Sequence, residues 1–386
     1  MTASSMAAGP GPGGSAAVPG RSRPRWLNPR PTRCDDGGVD LWVRWIHQRR
    51  PEDQEDTLNQ AFVLAAGLGT RLRPLTEFRP KPLVPICGVP LMSYTLALCA
   101  RHGIERAVVN AHWLADQVEA WEGVREGVRV SISTERPEIL GTGGGLKRVA
   151  DQLAQRFVVL NGDILHDVDL TLLLEAVPDG GGAMALRPSE REAPRYGVVA
   201  ADDTDTIVAL TSLARATPEG PVRSDTHFTG IHALDRAVLE RVPDGFACIV
   251  RTAYTELVPL RRVRGLRYGG PWLDAGDPAA YLEANLSILR GEVQLALDPW
   301  ARAAAARGPD GRLHGATLGA SVQGSAWVGH GVALGSQVTL HDSVVGERAV
   351  VPDGVHLTRC VVWDGCEVPS GQHTDVIVHP GGVLQI

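Results

Sequence analysis

Lysine is almost missing from this 386-residue chain: only Lys81 and Lys147 are present, so arginine supplies 36 of the 38 basic residues. Where a guanidinium serves nearly every cationic position, a retained lysine marks a place that needs a compact ammonium. An excess of positive charge is also lacking. The 38 basic residues face 44 acidic ones, a formal net charge of -6, which excludes a generic nucleic-acid coat. No run of about 18 apolar residues occurs, so no membrane span is expected. The six cysteines (Cys34, Cys87, Cys99, Cys248, Cys360 and Cys366) include no CxxC pair. That argues against a zinc site or disulfide framework and for free thiols in a cytoplasmic protein. The N-terminus has no continuous apolar stretch to serve as a secretory signal. What is present, 44% hydrophobic and 21% charged residues, is the balance of a globular protein of two to three domains.

Composition changes along the chain. Residues 1–20 hold 16 Gly, Ala, Pro or Ser and no charge, and residues 21–34 add five arginines and no acid. Such a segment cannot bury a core, and 1–56 is expected to be a disordered extension, with Trp42 and Trp45 of unassigned role. From residue 57 to 290 short apolar runs alternate with helical patterns. Strands are expected at 61–66, 106–110, 128–133, 157–160, 183–186, 197–200 and 229–234. Helices are expected at 90–102, 114–121, 146–154 and 278–289. This alternation predicts an α/β domain around a mostly parallel sheet. Residues 291–312 read as a connecting helix and linker. From 313 to 386 valine recurs every six residues, at Val332, Val338, Val344 and Val350 and again at Val362 and Val368. That period fits neither a helix nor a flat strand. It predicts a short hexapeptide-repeat, left-handed parallel β-helix.

The densest pattern is Leu64-Ala65-Ala66-Gly67-Leu68-Gly69-Thr70-Arg71-Leu72-Arg73-Pro74-Leu75-Thr76, followed by Pro80-Lys81-Pro82-Leu83. A glycine-rich turn after a first strand lets backbone amides approach phosphate oxygens. It lacks the GK[ST] of a Walker A loop and the third glycine of a dinucleotide fingerprint. Gly141-Thr142-Gly143-Gly144-Gly145 offers a backbone that a planar ring can approach. Asn161-Gly162-Asp163 follows an apolar strand, where an acidic side chain enters the ligand crevice of a parallel sheet. Trp272-Leu273-Asp274-Ala275-Gly276-Asp277-Pro278 supplies further carboxylates, for which capping a helix or turn is the structural alternative.

Together these stretches resemble the sugar-1-phosphate nucleotidylyltransferases, whose G-x-G-T-R-L-x-P-L-T loop and P-K-P-L are both present, over about residues 61–289. The resemblance implies a Rossmann-like nucleotidyltransferase domain that joins a nucleoside triphosphate (NTP) to a sugar 1-phosphate, releasing pyrophosphate. It implies Arg71, Lys81 and Asp163 as catalytic residues. It implies Leu64, Ala65, Gly67, Gly69, Thr70, Asn110, Gly141, Thr142, Gly143 and Gly144 as nucleotide-binding, and Asn161, Tyr196, Gly197 and Thr229 as sugar-binding. Asp163 and Asp274 would hold Mg²⁺, a cation suited to hard carboxylates and substrate phosphates. Asp277 stands where the family has threonine. The family's second phosphate-binding lysine is absent, since no lysine follows Lys147, and Arg215 or Arg223 are its candidate substitutes. His227-Phe228-Thr229-Gly230-Ile231 and Asn110-Ala111-His112-Trp113 look like the N-acetylmuramate 1-phosphate uridylyltransferase branch. The β-helix looks like the mannose-1-phosphate guanylyltransferases, the reading preferred; a glucose-1-phosphate thymidylyl- or uridylyltransferase is a further alternative. Two other readings compete: a non-catalytic nucleotide-sugar sensor, and an acyltransferase using one of the tail histidines His330, His341, His356, His373 or His379. Partners other than substrates are expected to be limited to further copies of the chain, meeting through the β-helix.

Overall fold

The structure, a computed structural model, describes residues 59–188, 196–307, 313–314 and 320–386. The expectations for residues 1–56 lie outside the described residues. All the described residues belong to one unit, Glu52–Ile386, and among them no helix is long and apolar enough to cross a membrane.

Four strands make the parallel heart of the main sheet: β1 (Gln60–Leu64), β2 (Arg106–Ala111), β3 (Val128–Thr134) and β4 (Arg156–Asn161), in spatial order β3-β2-β1-β4. They are nearly continuous apolar runs because both faces are covered; Phe62, Val63, Val109 and Val158 to Leu160 are fully buried. Helix α1 (Leu91–Arg101) connects β1 to β2, and α2 (Gly141–Arg148) lies between β3 and β4. The order of the strands reverses at β1, and in such sheets the crevice at that point, outside the carboxyl ends of the strands, is where ligands bind.

Beyond β4 the sheet turns mixed. Strand β5 (Ile164–His166) leaves it to pair antiparallel with β9 (Trp272–Asp274) in a separate ribbon, where Asp274 faces Ile164 and Trp272 faces His166. Strands β6 (Gly182–Pro188) and β7 (Val198–Asp202) both pair with the long β8 (Val222–Asp235), which runs antiparallel to β4. Helix α3 (Pro278–Leu289) closes the body; Asp277 caps it, its side chain accepting from the Ala280 amide at 2.9 Å, with Pro278 in the first turn.

Two expectations about local structure change. The helix anticipated at 146–154 starts earlier, at Gly141, and a separate 3-10 turn covers Ala150–Gln152. The glycine-rich stretch is therefore helix and not loop: its lack of side chains serves close packing, which outweighs glycine's poor helix propensity. Within 291–312 the described residues hold no α-helix; a 3-10 turn Pro299–Arg302 leads into a strand, Ala305–Arg307, that pairs antiparallel with Ser321–Val328.

The C-terminal region stacks its strands in parallel. Ser321, Thr339, His356 and Gln372 follow one another on one line of pairing. Trp327, Val344, Val361 and Ile377 follow on a second, and Ala333, Val350 and Glu367 on a third. Each coil thus takes 16 to 18 residues, about three hexapeptides. Val338, Val344, Val362 and Val368 point inward, but Val350 is 39% exposed while Ala349 and Val351 beside it are buried. A 17-residue coil moves the six-residue step by one position there, which the valine count could not register.

This solenoid is not a separate bead. Its interior is continuous with α3 and the segment Leu72–Tyr94 in a single apolar cluster. Trp327 presses the tip of its indole against Gly88, where a Cβ would stand 2.0 Å from the ring. The Trp363 indole N–H donates to the Tyr281 hydroxyl at 3.0 Å. Arg290 pairs with Asp342 at 3.0 Å across the same boundary.

Candidate active site

A cavity of about 320 Å³ opens at the carboxyl ends of β1, β2 and β4, lined by residues from all three and from the start of α2. The first wall is the turn after β1. Gly69 adopts a left-handed conformation, φ +61°, and a Cβ there would come within 2.7 Å of the Thr76 methyl. Glycine is therefore required on two counts, backbone angle and space. Thr76 fixes the turn from below. Its hydroxyl donates to the Gly69 carbonyl at 2.8 Å, and its own carbonyl accepts from the Trp113 indole at 2.7 Å.

Asn110, at the end of β2, is 2% exposed and receives the amides of Ala65 at 2.7 Å and Ala66 at 3.3 Å on its side-chain oxygen. Its amide nitrogen donates to Glu135 at 2.8 Å, and the second oxygen of Glu135 receives the Leu140 amide at 2.7 Å. Glu135 is completely buried. This chain of bonds ties the β1 turn to the N-terminus of α2, with each buried polar atom matched. Two of the turn's amides are thereby consumed. Those of Gly67, Leu68, Gly69 and Thr70 donate to no acceptor among the described residues, and Gly67, Gly69 and Thr70 line the cavity.

The opposite wall carries charge. Lys81 is buried, 6% exposed, on a 3-10 turn Lys81–Leu83 between Pro80 and Pro82. Its Nζ lies 2.7 Å from Oδ2 of Asp163 and 3.3 Å from Oδ1 of Asp274. Arg71 reaches the other oxygen of Asp274 at 3.8 Å. The pairing of β5 with β9 explains how two carboxylates 111 positions apart meet: Asp274 stands across from Ile164, the neighbour of Asp163.

Of the anticipated site residues, Leu64, Ala65, Gly67, Gly69, Thr70, Arg71, Lys81, Asn110, Gly141, Thr142, Asn161 and Asp163 line this cavity. Asp274 joins it through Lys81 and Arg71. Gly143 and Gly144 do not line it; they are buried in α2, where a Cβ on Gly144 would meet the Gly245 carbonyl oxygen at 2.0 Å and one on Gly143 the Ile249 amide at 3.0 Å. Of the three expected sugar contacts on the far side, Tyr196 and Gly197 lie on an adjoining surface, whereas Thr229 is buried, its hydroxyl donating to the Ala185 carbonyl at 2.8 Å. Tyr196 stacks on His227, centroids 5.1 Å apart, and meets Trp272 edge-on at 5.3 Å. The Trp272 indole donates to the Thr229 carbonyl at 3.0 Å, and Gly197 follows Tyr196 directly. Asn161 adjoins this surface, its side-chain nitrogen lying against Gly230.

Sequence reading missed Glu135, Trp272, Ile139 and Gly276. Trp272 stood inside a motif that was recognised for its aspartate alone. Glu135 carried no local signal, being one acid among 44 acidic residues. Arg215 and Arg223 stand elsewhere: Arg215 ends an edge strand, and Arg223 pairs with Asp205.

The pattern of the family described as nucleotidyl transferase matches residues 60–291. The chain is 30% identical over 318 residues to the mannose-1-phosphate guanylyltransferase of Mycobacterium tuberculosis, covering 81% of each protein. It is 33% identical over 238 residues to the N-acetylmuramate alpha-1-phosphate uridylyltransferase of Caulobacter vibrioides, which covers 59% of this chain and 96% of that protein. To the UTP–glucose-1-phosphate uridylyltransferase of Synechocystis it is 30% identical over 256 residues, 61% of this chain and 64% of that one.

Proposed function

The chain belongs to the nucleotidyl transferase family, and on that premise we propose that it is a mannose-1-phosphate guanylyltransferase, joining GTP to mannose 1-phosphate with release of pyrophosphate. Nucleotidyl transfer to a sugar 1-phosphate is the family's chemistry. The choice of mannose and guanine draws on coverage: similarity to the guanylyltransferase runs over 81% of this chain, whereas similarity to the muramate enzyme ends after 59%.

The observation that carries the reading is Lys81, nearly buried at the cavity and flanked by Asp163 and Asp274. The free turn amides of Gly67 to Thr70 would take the triphosphate oxygens, and Thr142 with Gly141 would border the base. A phosphate oxygen of the sugar substrate attacks the α-phosphorus in line with the departing pyrophosphate. That oxygen is already anionic, so no general base is needed. Catalysis rests on placement and on neutralising charge. Lys81 and Arg71 supply the cationic groups, and Tyr196 and Trp272 present aromatic faces to the sugar, with the buried His227 backing Tyr196.

Among the described residues no three His, Cys, Asp or Glu gather into a metal cluster. Mg²⁺ does not need one: it is bound by one or two carboxylates, with substrate phosphates and water completing its shell. Asp163 and Asp274, two hard donors that already converge on one ammonium, fit that description and would hold the ion. When bound, it would neutralise and orient the phosphates.

A panel of GTP, UTP, ATP and dTTP against mannose, glucose and N-acetylmuramate 1-phosphates, read by pyrophosphate release, tests this. GTP with mannose 1-phosphate should give the highest kcat/KM. A preference for UTP with the muramate substrate would transfer the chain to the other branch, and no release with any pair would favour a nucleotide-sugar sensor.

A further inference from the structure

The turn that carries Lys81 is gripped from both sides by the solenoid. On the N-terminal side, Arg79 pairs with Asp364 at 2.9 Å, and its guanidinium lies 5.1 Å from the Trp363 ring centroid. Phe78, one residue earlier, packs on His379 with centroids 5.3 Å apart. On the C-terminal side, the Pro85 carbonyl accepts from the Tyr281 hydroxyl at 2.5 Å, and that hydroxyl receives the Trp363 indole N–H at 3.0 Å. Two adjacent solenoid residues therefore act on both ends of the short arch from Arg79 to Pro85, Asp364 directly on Arg79 and Trp363 on Pro85 through the Tyr281 hydroxyl of α3. Between those ends stand Pro80, Lys81 and Pro82. The prolines fix two of the backbone angles, so the arch behaves as a stiff piece whose placement is set at its ends.

From these contacts we infer that Asp364 and Trp363 are positioning residues for Lys81: the last coils of the solenoid determine where the ammonium stands relative to Asp163 and Asp274. The inference rests on the proposed role of Lys81 in phosphate transfer. The solenoid then contributes to the rate while touching no substrate. An interface that merely held two parts together would not have to converge on this segment. Here one indole and one carboxylate on consecutive residues serve the two ends of the catalytic turn.

Misplacement of a reacting group by about 1 Å costs on the order of 10²-fold in rate, whereas a partly exposed ion pair adds little to stability. The two effects can therefore be separated. The full chain is assayed as Asp364→Asn, Asp364→Glu and Lys81→Ala, with GTP and mannose 1-phosphate or whichever pair the panel selects, and each variant is melted. Asp364→Asn should lower kcat about tenfold, leave KM for the nucleotide within about twofold and change Tm by no more than a few degrees. Asp364→Glu, which keeps the charge for Arg79, should recover most of the loss. A kcat for Asp364→Asn within twofold of the parent overturns the inference, as does a fall in rate that Asp364→Glu does not relieve. Lys81→Ala separates the two layers: parental activity in that variant would sink the proposed function itself, whereas a dead Lys81→Ala beside a normal Asp364→Asn would sink only the positioning role.

Discussion

The cavity end of the sheet and the solenoid bury their polar groups differently. Around the cavity, Asn110, Glu135 and Lys81 are all nearly or fully buried, and each is matched to partners from distant parts of the chain. Inside the solenoid, among the described residues, the buried side chains are valine, leucine, isoleucine, alanine, tryptophan and cysteine, with Ser343 and His379 the buried polar residues. The solenoid gains its stability from neighbours one coil away, so a short repeated pattern suffices. The cavity is assembled from residues 64–71, 81, 110, 163 and 274, and its precision depends on all of those long-range contacts holding together. Substitutions should consequently show up as lost rate near the cavity and as lost stability at the apolar part of the solenoid boundary, the Asp364 contact with the Lys81 turn being the exception.

The severest expected effect is Lys81→Arg. The charge is kept, but a guanidinium is longer and planar, and the turn between Pro80 and Pro82 cannot retreat. We expect kcat to fall by about 10²-fold or more with little change in Tm. Steady-state kinetics within about threefold of the parent would mean that this lysine is not catalytic, and the contrast between the two regions would lose its sharpest point.

Next come two glycines that test whether close packing matters equally on both sides. Gly144→Ala would drive a methyl into the Gly245 carbonyl oxygen at 2.0 Å, and Gly88→Ala would drive one into Trp327 at the same distance from a left-handed backbone, φ +68°. Overpacking costs about 1–3 kcal/mol, and left-handed strain adds about 1 kcal/mol or more at Gly88. Chemical denaturation should therefore rank Gly88→Ala as the less stable variant. The reverse order would mean that the solenoid yields more readily than the glycine helix.

A smaller effect concerns pH. Burial pushes His232 down to about 3, and burial followed by the charges of Arg101 and His102 does the same to His166. Both belong to the nucleotidyl body and stay neutral when folded. In the unfolded chain they take up protons near the ordinary histidine value of 6.5. The unfolded state thus binds more protons between about pH 6.5 and 3. Stability from this source is complete above pH 6.5 and drains away as pH falls toward 3. Melting temperatures at pH 7.5 and 5.0 should differ in that sense, and His232→Gln should narrow the gap. An unchanged gap would assign the acid sensitivity elsewhere.

The smallest effect is expected in the tail. His330 and His356 are exposed on the solenoid, and His330→Ala or His356→Ala should alter stability by no more than about 0.5 kcal/mol and leave pyrophosphate release unchanged. Thiol release from acetyl-CoA that disappears with either change would restore the acyltransferase reading.

The lysine count was a partial guide. Lys81 stands at the cavity, but Lys147 donates to the Leu239 carbonyl at 2.9 Å and fastens α2 to the turn below it. Rarity marked both residues without telling a charge that faces substrate from one that holds a backbone.

Local order was set by the residues themselves. Apolar runs covered on both faces make β1 to β4, Asp277-Pro278 starts α3, and the valine step of six winds the solenoid. The Gly69 turn and the Lys81 prolines were equally plain, because each acts on its own few backbone angles. Three features were decided only by the folded chain. Asp163 and Asp274 come together because β5 pairs with β9. The glycines 143 and 144 become helix because the 245–249 segment presses on them. The solenoid fuses with the body because Trp327 and Trp363 find Gly88 and Tyr281. No period or local motif spells out these pairings, since each partner is chosen across tens to hundreds of residues by shape and hydrogen bonding; the meeting of Asp163 and Asp274 was anticipated through the family resemblance alone.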